Sequence, residues 1–217
     1  TRNTSMILAI ITSQMSITRS VMDRITLAAY ATALMTTRPY GTSTEPTFTI
    51  ANTRLSHIAH VATYSSGMYF TFANSKVVVQ SIEVFNVTTN AINGYGGIIY
   101  TENIYSLLVT NSMFSHVSTS GFGGVIFSLG TSLVRIENCL FTRCTGKKGG
   151  AMMLADLVSA TSQPGTFTVF ILNTAFVENS VSIQGGAMEV SGKYRALIFG
   201  CSFIKNSVRG YTNYGGG

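Results

Sequence analysis

The stretch "FVENSVSIQGGAM" at residues 176–188 decides the fold, because its pattern occurs in two earlier places. "FTRCTGKKGGAM" stands at 141–152 and "FSHVSTSGFGGVI" at 114–126. Each copy begins with phenylalanine and reaches two adjacent glycines that are followed by small or apolar residues. A motif that returns at a nearly fixed period predicts a repeat architecture.

Seven copies align on one large apolar residue, the anchor of each copy. The anchors are Met22, Leu55, Val84, Phe114, Phe141, Phe176 and Phe203. Intervals of 27–35 residues separate them, a β-branched residue stands five positions before each, and an apolar residue stands seven positions before each. Because residues two apart on a strand face the same side, every copy is predicted to contain a short strand with one buried face.

Phenylalanine, asparagine and glycine have separate expected roles. The later anchors Phe114, Phe141, Phe176 and Phe203 are expected to fill the core. Asn111, Asn138 and Asn173 stand three residues before successive anchors, at a predicted turn, where their amides are expected to form a stacked ladder. Glycine pairs are expected at a second corner, where a side chain would clash with the next copy. The pairs are Gly96 and Gly97, Gly123 and Gly124, Gly149 and Gly150, and Gly185 and Gly186.

A period near 30 residues also occurs in helical arrays, and propellers form another repeat class. Helical arrays need apolar residues three and four apart, and propeller blades need roughly 40 residues. The sequence therefore predicts an all-β fold, a right-handed parallel β-helix of about seven coils of 27–35 residues. Residues 1–217 are interpreted as a single β-helix segment of a longer protein, with insertion loops at 36–47 and 156–166.

Charge and hydropathy exclude several classes of function. Charged residues make up 10% of the chain, against about 25% in an ordinary soluble domain, so much of the surface is expected to face other protein. The 14 Lys and Arg residues are scattered, which is not the clustered positive surface that nucleic acid binding needs. The longest apolar run is "MILAII" at 6–11, far short of the roughly 18 residues of a membrane span.

Two pairs of motifs resemble known β-helix families. "FVEN" with "GGAM" and "FIKN" with "YGGG" resemble the FxxN and GGA[ILV] repeats of chlamydial polymorphic outer membrane proteins. "NCLF" and "GCSF" are similar to the pectin-lyase-like β-helix repeats of large protist surface proteins. The resemblance spans roughly residues 107–217. It implies secretion, a cell-surface or extracellular position, and a role in adhesion or fibre building.

An enzyme is the main rival, because pectin-lyase-like folds include polysaccharide lyases and hydrolases. Such chemistry needs two carboxylates that face one sugar, or an acidic cluster that holds Ca²⁺. The eight acidic residues fall in unrelated columns of the repeat. We therefore expect no catalytic residues, no metal ligands and no cofactor. His57, His60 and His116 could be imagined as metal ligands, but no Cys or carboxylate falls between them in the column.

Other surface features remain open to two interpretations. Arg143, Glu178 and Lys205 stand two residues after successive anchors and alternate in sign, which suits either a structural charge ladder or a recognition stripe. Asn3 and Asn86 begin glycosylation sequons, although chance explains such triplets equally well. Cys139, Cys144 and Cys201 have no compatible partner for a disulfide and are expected to be buried free thiols.

The sequence thus favours a non-enzymatic structural or interaction segment of a large extracellular or cell-surface protein. Its expected partners are other subunits, or further coils of the same protein, at both ends. Two alternatives stay open, a carbohydrate-active enzyme with catalytic groups on the insertion loops, and a glycan-binding module. The second would use tyrosines such as Tyr40, Tyr64, Tyr69 and Tyr95.

Overall fold

The computed structural model describes residues 4–11, 14–27, 31–39, 46–60, 66–71, 74–90, 97–156 and 167–210. These residues form short β-strands that are joined by bends, and no helix occurs among them. Accordingly, no helix in these ranges has the length and apolar character needed to cross a membrane.

The strands, in chain order, are β1 Thr4–Ile11, β2 Gln14–Thr18, β3 Val21–Asp23, β4 Thr26–Leu27, β5 Ala31–Pro39, β6 Thr47–Ala51, β7 Arg54–His60, β8 Ser66–Thr71, β9 Lys76–Gln80, β10 Glu83–Thr89, β11 Ile99–Glu102, β12 Ser106–Thr110, β13 Met113–Thr119, β14 Ile126–Leu129, β15 Leu133–Glu137, β16 Leu140–Thr142, β17 Thr145–Lys148, β18 Met152–Ala155, β19 Phe167–Leu172, β20 Ala175–Val177, β21 Ser180–Gln184, β22 Met188–Ser191, β23 Tyr194–Phe199, β24 Ser202–Ile204 and β25 Ser207–Val208.

Three parallel sheets run along the molecule. Sheet I contains β2, β6, β9, β12, β15, β19 and β23, and sheet III contains β1, β5, β8, β11, β14, β18 and β22. Sheet II follows the order β3, β7, β10, β13, β16, β20 and β24, and β4, β17, β21 and β25 extend it. The chain visits sheets I, II and III in turn and then moves up by one strand, so the fold is a parallel β-solenoid, or β-helix.

Strand register places the anchors in one column. Phe114 pairs with Val84 on one side and Phe141 on the other, and Phe176 pairs with Phe141 and Phe203. The β-branched column five residues earlier is also in register, from Ile17 paired with Ile50 to Ile171 paired with Ile198. The period read from the sequence therefore matches the stacking of the coils, and the all-β parallel β-helix prediction is confirmed.

The predicted number of coils is too high. About five full turns are present rather than seven. The anchors Met22 and Phe203 lie on β3 and β24, the outermost strands of sheet II. In the part of the chain that the structure describes, each of these strands pairs with one neighbouring strand of sheet II, so the first and last repeats stack against another turn on one side only.

The first insertion loop begins later than predicted. Residues 36–39 belong to β5, which pairs with β1 as far as Pro39. A proline is tolerated there because pairing of β5 with β8 ends at Thr37, two residues earlier, so the missing N–H interrupts no bond on that side. Thr47 already belongs to β6. Residues 40–45 of this loop and 157–166 of the second lie outside the described residues.

The core contains a column of stacked phenylalanine rings. Phe114 and Phe141 lie with ring centroids 5.0 Å apart and planes 6° from parallel, and Phe141 and Phe176 lie 5.2 Å apart at 6°. All three side chains are fully buried. Phe203 continues the stack at 4.9 Å but is 41% exposed, because it lies in the last rung of sheet II. The predicted core residues thus form one continuous apolar column.

Glycine pairs precede the strands of sheet III, and the structure gives a reason for them. A Cβ on Gly124 would overlap the carbonyl oxygen of Gly150 in the next turn, and a Cβ on Gly150 would overlap that of Gly186. Gly149 has a φ of 60°, in the left-handed region that glycine tolerates. Close approach of neighbouring turns therefore requires glycine here. Gly96 lies outside the described residues.

We predict that Phe141→Ala lowers the free energy of unfolding by about 3–5 kcal/mol, because it leaves a cavity between two stacked rings. Phe203→Ala, in the same column but half open to solvent, is the matched control and should cost less. Urea unfolding of both variants measures the difference. Equal losses for the two variants would contradict the buried column described here.

Candidate functional site

Two columns of residues with positive φ, one on each side of the anchors, run along the molecule. The asparagine column stands three residues before the anchors and contains Arg19, Asn52, Ser81, Asn111, Asn138, Asn173 and Gly200, with φ between 48° and 65°. The charged column stands two residues after the anchors and contains Arg24, His57, Asn86, His116, Arg143, Glu178 and Lys205, with φ between 50° and 54°.

These bends are energetically demanding for residues other than glycine. A left-handed residue costs roughly 1–2 kcal/mol, and β-branched side chains are the least tolerated. Although the chain is rich in Val, Ile and Thr, neither column contains any of them. The sequence interpretation expected left-handed geometry only in the asparagine column. The absence of β-branched residues is the signal that could have identified the charged column too.

A small polar residue follows the asparagine column and points inward. The Ser112 hydroxyl donates to the Thr110 carbonyl at 2.7 Å and accepts from the Ile82 N–H of the previous turn at 3.2 Å. Thr174 repeats both contacts, donating to Leu172 at 2.9 Å and accepting from the Cys139 N–H at 3.3 Å. Backbone groups that the bend removes from the strand ladder thereby regain partners.

Asn179 and Asn206 perform this task at the charged column, three residues after their phenylalanine anchors. The Asn179 amide donates to the Phe141 carbonyl at 3.1 Å and accepts from the Cys144 N–H at 2.9 Å. Asn206 accepts from the Asn179 amide at 2.9 Å and donates to the Phe176 carbonyl at 3.0 Å. The asparagine of each F-x-x-N motif thus bonds the carbonyl of the preceding anchor, which is a structural role.

All three cysteines are free and occupy the same inward corner positions. The Cys139 thiol donates to the Glu137 carbonyl at 3.2 Å, and the Cys144 thiol donates to the Thr142 carbonyl at 3.4 Å. Burial raises the pKa of Cys139 to about 11 and that of Cys144 to about 12. A thiol with such a pKa stays protonated near neutral pH and is a poor nucleophile.

The exposed amides of the asparagine column lie one above another. The Asn138 Nδ2 donates to the Asn111 Oδ1 at 3.4 Å, and the Asn173 side chain extends over Gly200. Asn111, Asn138 and Asn173 are all exposed. The predicted ladder positions are therefore adjacent, and the structure records one bond between their amides in the part of the chain it describes.

The charged column carries polar contacts between turns. Arg143 Nε lies 2.8 Å from Glu178 Oε2, and Arg143 also lies 3.4 Å from His116 Nε2. At the other end, His57 Nδ1 lies 2.8 Å from Asp23 Oδ1. The hydrogen bond from Arg143, together with its charge, lowers the pKa of Glu178. Hydrogen bonds from Ser56 and His57 do the same for the pKa of Asp23.

Two carboxylates on the outer face of sheet III, those of Glu102 and Glu189, lie apart from each other. Glu102 Oε2 accepts from Tyr69 at 2.7 Å and from Tyr100 at 3.1 Å on the outer face of sheet III, a contact that sequence reasoning missed. Glu189 lies on the same face beside Gln184 and Lys148. Three strand spacings of about 4.8 Å separate Glu102 from Glu189, roughly 14 Å in total. Glycosidase carboxylates lie at most about 9.5 Å apart.

The structure tests the proposed metal ligands and locates some of the tyrosines and sequon residues singled out in the sequence. No group of three or more His, Cys, Asp or Glu residues that could hold a metal occurs in the described ranges. Tyr69 stacks on Tyr100 with centroids 4.8 Å apart at 11°, so one face of its ring is covered. Tyr40, Tyr64, Tyr95 and the sequon residue Asn3 lie outside the described residues, whereas Asn86 is exposed in the charged column.

A groove of about 670 Å³ runs along the solenoid between sheets I and II. The asparagine column forms one wall, and the outward residues at the start of the sheet II strands form the other, among them Met113, Leu140 and Ala175. Cys139 and Thr174 contribute to the floor. The sequence did not reveal this extended groove, because the same short corner segment from five successive turns has to stack to form it.

Comparison with family models, with curated proteins and with solved structures gave no match. The parallel β-solenoid is therefore established from the coordinates and the repeat pattern alone. Fold by itself does not specify function.

We predict that Lys205→Asn stabilises the protein by roughly 0.5–1 kcal/mol, because asparagine tolerates the left-handed conformation better than lysine. Lys147→Asn is the matched control, since Lys147 is exposed in β17 and does not have a positive φ. Urea unfolding measures both variants. The left-handed explanation is wrong if Lys205→Asn gains nothing relative to Lys147→Asn.

We also predict a specific pH dependence. Because the folded-state pKa of Glu178 is lowered, its ion pair contributes stability above the unfolded pKa, about 4.3, and loses that contribution as pH falls through the folded value. Arg143→Gln should raise the Glu178 pKa and reduce the loss of stability in acid. NMR titration of the Glu178 carboxyl measures the shift, with Arg135→Gln, which removes the Glu137 partner, as control. An unchanged Glu178 pKa in Arg143→Gln refutes the pairing.

Proposed function

We propose that the chain is a non-enzymatic structural and interaction segment of a large extracellular or cell-surface β-helical protein, acting in adhesion or as a subunit of a surface fibre. The observation that carries this proposal is the exposure of apolar side chains in the last rung of the solenoid. Ile198 and Phe203 occupy columns that are fully buried at Ile171 and Phe176, yet they are 45% and 41% exposed. An apolar strand edge of this kind favours pairing with another strand.

The partner that fits this surface is another protein with the same strand geometry. Either further coils of the same chain or another subunit would extend the core columns over Ile198 and Phe203. The other end offers a similar surface, because Met15, Ile17, Met22 and Ile25 are only partly buried against the core. We therefore propose protein contacts at both ends of the solenoid.

Two further observations support a structural role over catalysis. The carboxylates of Asp23, Glu102 and Glu178 each accept a hydrogen bond from a side chain of a neighbouring turn. The inward polar residues Ser112, Thr174 and Asn179 satisfy backbone groups at the bends. Both features stabilise the solenoid. They leave few polar groups of the described core for chemistry.

The surface position rests on the motif resemblance and is part of the proposal. The F-x-x-N and glycine-pair motifs are similar to those of polymorphic outer membrane proteins and pectin-lyase-like surface repeats, and the structure gives both motifs a stacking role. An exposed Asn86 within its sequon agrees with an extracellular glycoprotein. Mass spectrometry of the protein from its native source would detect a glycan at Asn86.

We predict that the full chain associates with itself or with its neighbouring protein through the last rung. Ile198→Lys combined with Phe203→Lys should abolish this association, because two charges are placed in an apolar edge. Leu197→Lys is the matched control, since Leu197 is an exposed outward residue on the same strand. Sedimentation velocity over a wide concentration range, with circular dichroism as a check of folding, measures the effect.

Two outcomes would count against the proposal. A wild-type chain that stays monomeric at every concentration and does not bind its neighbouring protein would show that the last rung is not an interaction surface. Release of reducing sugars from polygalacturonate or xylan would favour the carbohydrate-active enzyme.

A further inference from the structure

We propose that the groove between sheets I and II binds a neutral, extended oligosaccharide. This inference goes beyond the assembly role and does not depend on it. The groove extends from Ser81 to Gly200 across five successive turns. Four spacings of about 4.8 Å make it roughly 19 Å long, enough for several sugar units. Its two walls differ in chemistry, and that difference identifies the ligand.

The amide wall offers hydrogen bonds at a regular interval. Asn111, Asn138 and Asn173 are exposed on three consecutive turns, and each side-chain amide has two N–H donors and an acceptor oxygen. One donor of Asn138 and one lone pair of Asn111 are used in the bond between them. The remaining groups can pair with hydroxyls, which both donate and accept.

The left-handed bend favours asparagine but does not require these three amides. In the same three turns the charged column adopts nearly the same φ with His116, Arg143 and Glu178. Elsewhere in the asparagine column, Arg19, Ser81 and Gly200 make the bend without an amide. The run of asparagines therefore adds hydrogen-bonding capacity to one wall that the fold itself does not require.

The opposite wall is apolar where it faces the amides. Met113, which is 37% exposed, stands across from Asn111, and Leu140 and Ala175 follow on the next two turns. A sugar ring presents C–H groups on its faces and hydroxyls at its edge. Binding sites for small molecules commonly combine an apolar surface with a few convergent polar groups. The groove has this combination on each of three turns.

The electrostatics of the groove favour an uncharged ligand. Glu83 is the one charged residue among those that line it. The nearby Glu137 is paired with Arg135 at 2.9 Å. An acidic polysaccharide would meet a carboxylate and no unpaired cation in the lining, so a neutral one fits better.

An extended peptide fits less well than a sugar chain. Backbone groups of the floor are engaged between turns, since the Asn138 N–H donates to Leu172 at 3.0 Å and the Leu140 N–H donates to Ser112 at 3.0 Å. No strand edge is therefore offered there. A peptide strand also repeats its side chains on one face at about 6.6–6.8 Å, out of step with the roughly 4.8 Å of the turns, whereas a pyranose unit is close to one turn in length.

The test uses the full chain, labelled with ¹⁵N, and three neutral hexasaccharides, cellohexaose, mannohexaose and chitohexaose. We expect at least one to shift the side-chain amide signals of Asn111, Asn138 and Asn173 with a Kd of about 1 mM or tighter, which corresponds to about −4.1 kcal/mol. Hexagalacturonate should bind at least tenfold more weakly. Absence of shifts with all three neutral sugars overturns the proposal, and so does tighter binding of the acidic one.

The decisive variant replaces Asn111, Asn138 and Asn173 with glycine. Glycine keeps the left-handed bend and removes the amides, so the variant should fold and bind the sugar at least tenfold more weakly. The matched control replaces Asn86, His116 and Lys205 with glycine, at the same φ in the charged column, which does not line the groove. Unchanged affinity in the asparagine variant, or an equal loss in both, refutes the site.

Discussion

The left-handed bend is the constraint on which the rest of the structure depends. In each repeat one residue on either side of the anchor adopts positive φ, and because these residues recur at the same places, successive turns bend in register. Each bend disfavours the fold by roughly 1–2 kcal/mol when the residue is not glycine, and it diverts the backbone from the strand ladder. Inward hydroxyl, thiol and amide groups repair the ladder at both bends. The solenoid is stable because this repair, the phenylalanine stack and the parallel ladders all repeat with one period.

A bend that is specified by backbone geometry leaves its side chain free to vary. The charged column holds histidine, arginine, glutamate and lysine at nearly identical φ. Such a position can change its charge without changing the fold, provided that the new residue is not β-branched. The two outward columns are therefore separable from the core, and recognition properties can be built on them without changing the fold. Because these outward side chains do not determine the fold, the repeat pattern predicts the fold without specifying a function.

The sequence predicted those features that depend on period. Phe141 and Ile136 stand at fixed positions in their repeat, and a buried column follows directly from strand alternation. It did not predict that only about five full turns are present, since a repeat at the end of the solenoid carries the same motif as one in the middle. Residues 36–39 were assigned to a loop because proline usually argues against a strand. Pro39 is tolerated in β5 because pairing with β8 has already ended at Thr37. The groove and the contact between Tyr69 and Glu102 depend on the packing of neighbouring turns, which no single repeat contains.

The contrast between Asn179 and Asn138 shows how one residue type serves two purposes in the same turns. Asn179 is fully buried, and its amide bonds the Phe141 carbonyl and Asn206, so the fold accounts for its hydrogen-bonding groups. Asn138 is exposed, and beyond its bond to Asn111 most of its hydrogen-bonding capacity faces solvent and the groove. Buried amides must be satisfied by the protein, whereas exposed ones are available to a ligand. Burial, rather than residue type or repeat position, therefore distinguishes the structural asparagines from those that can recognise a sugar.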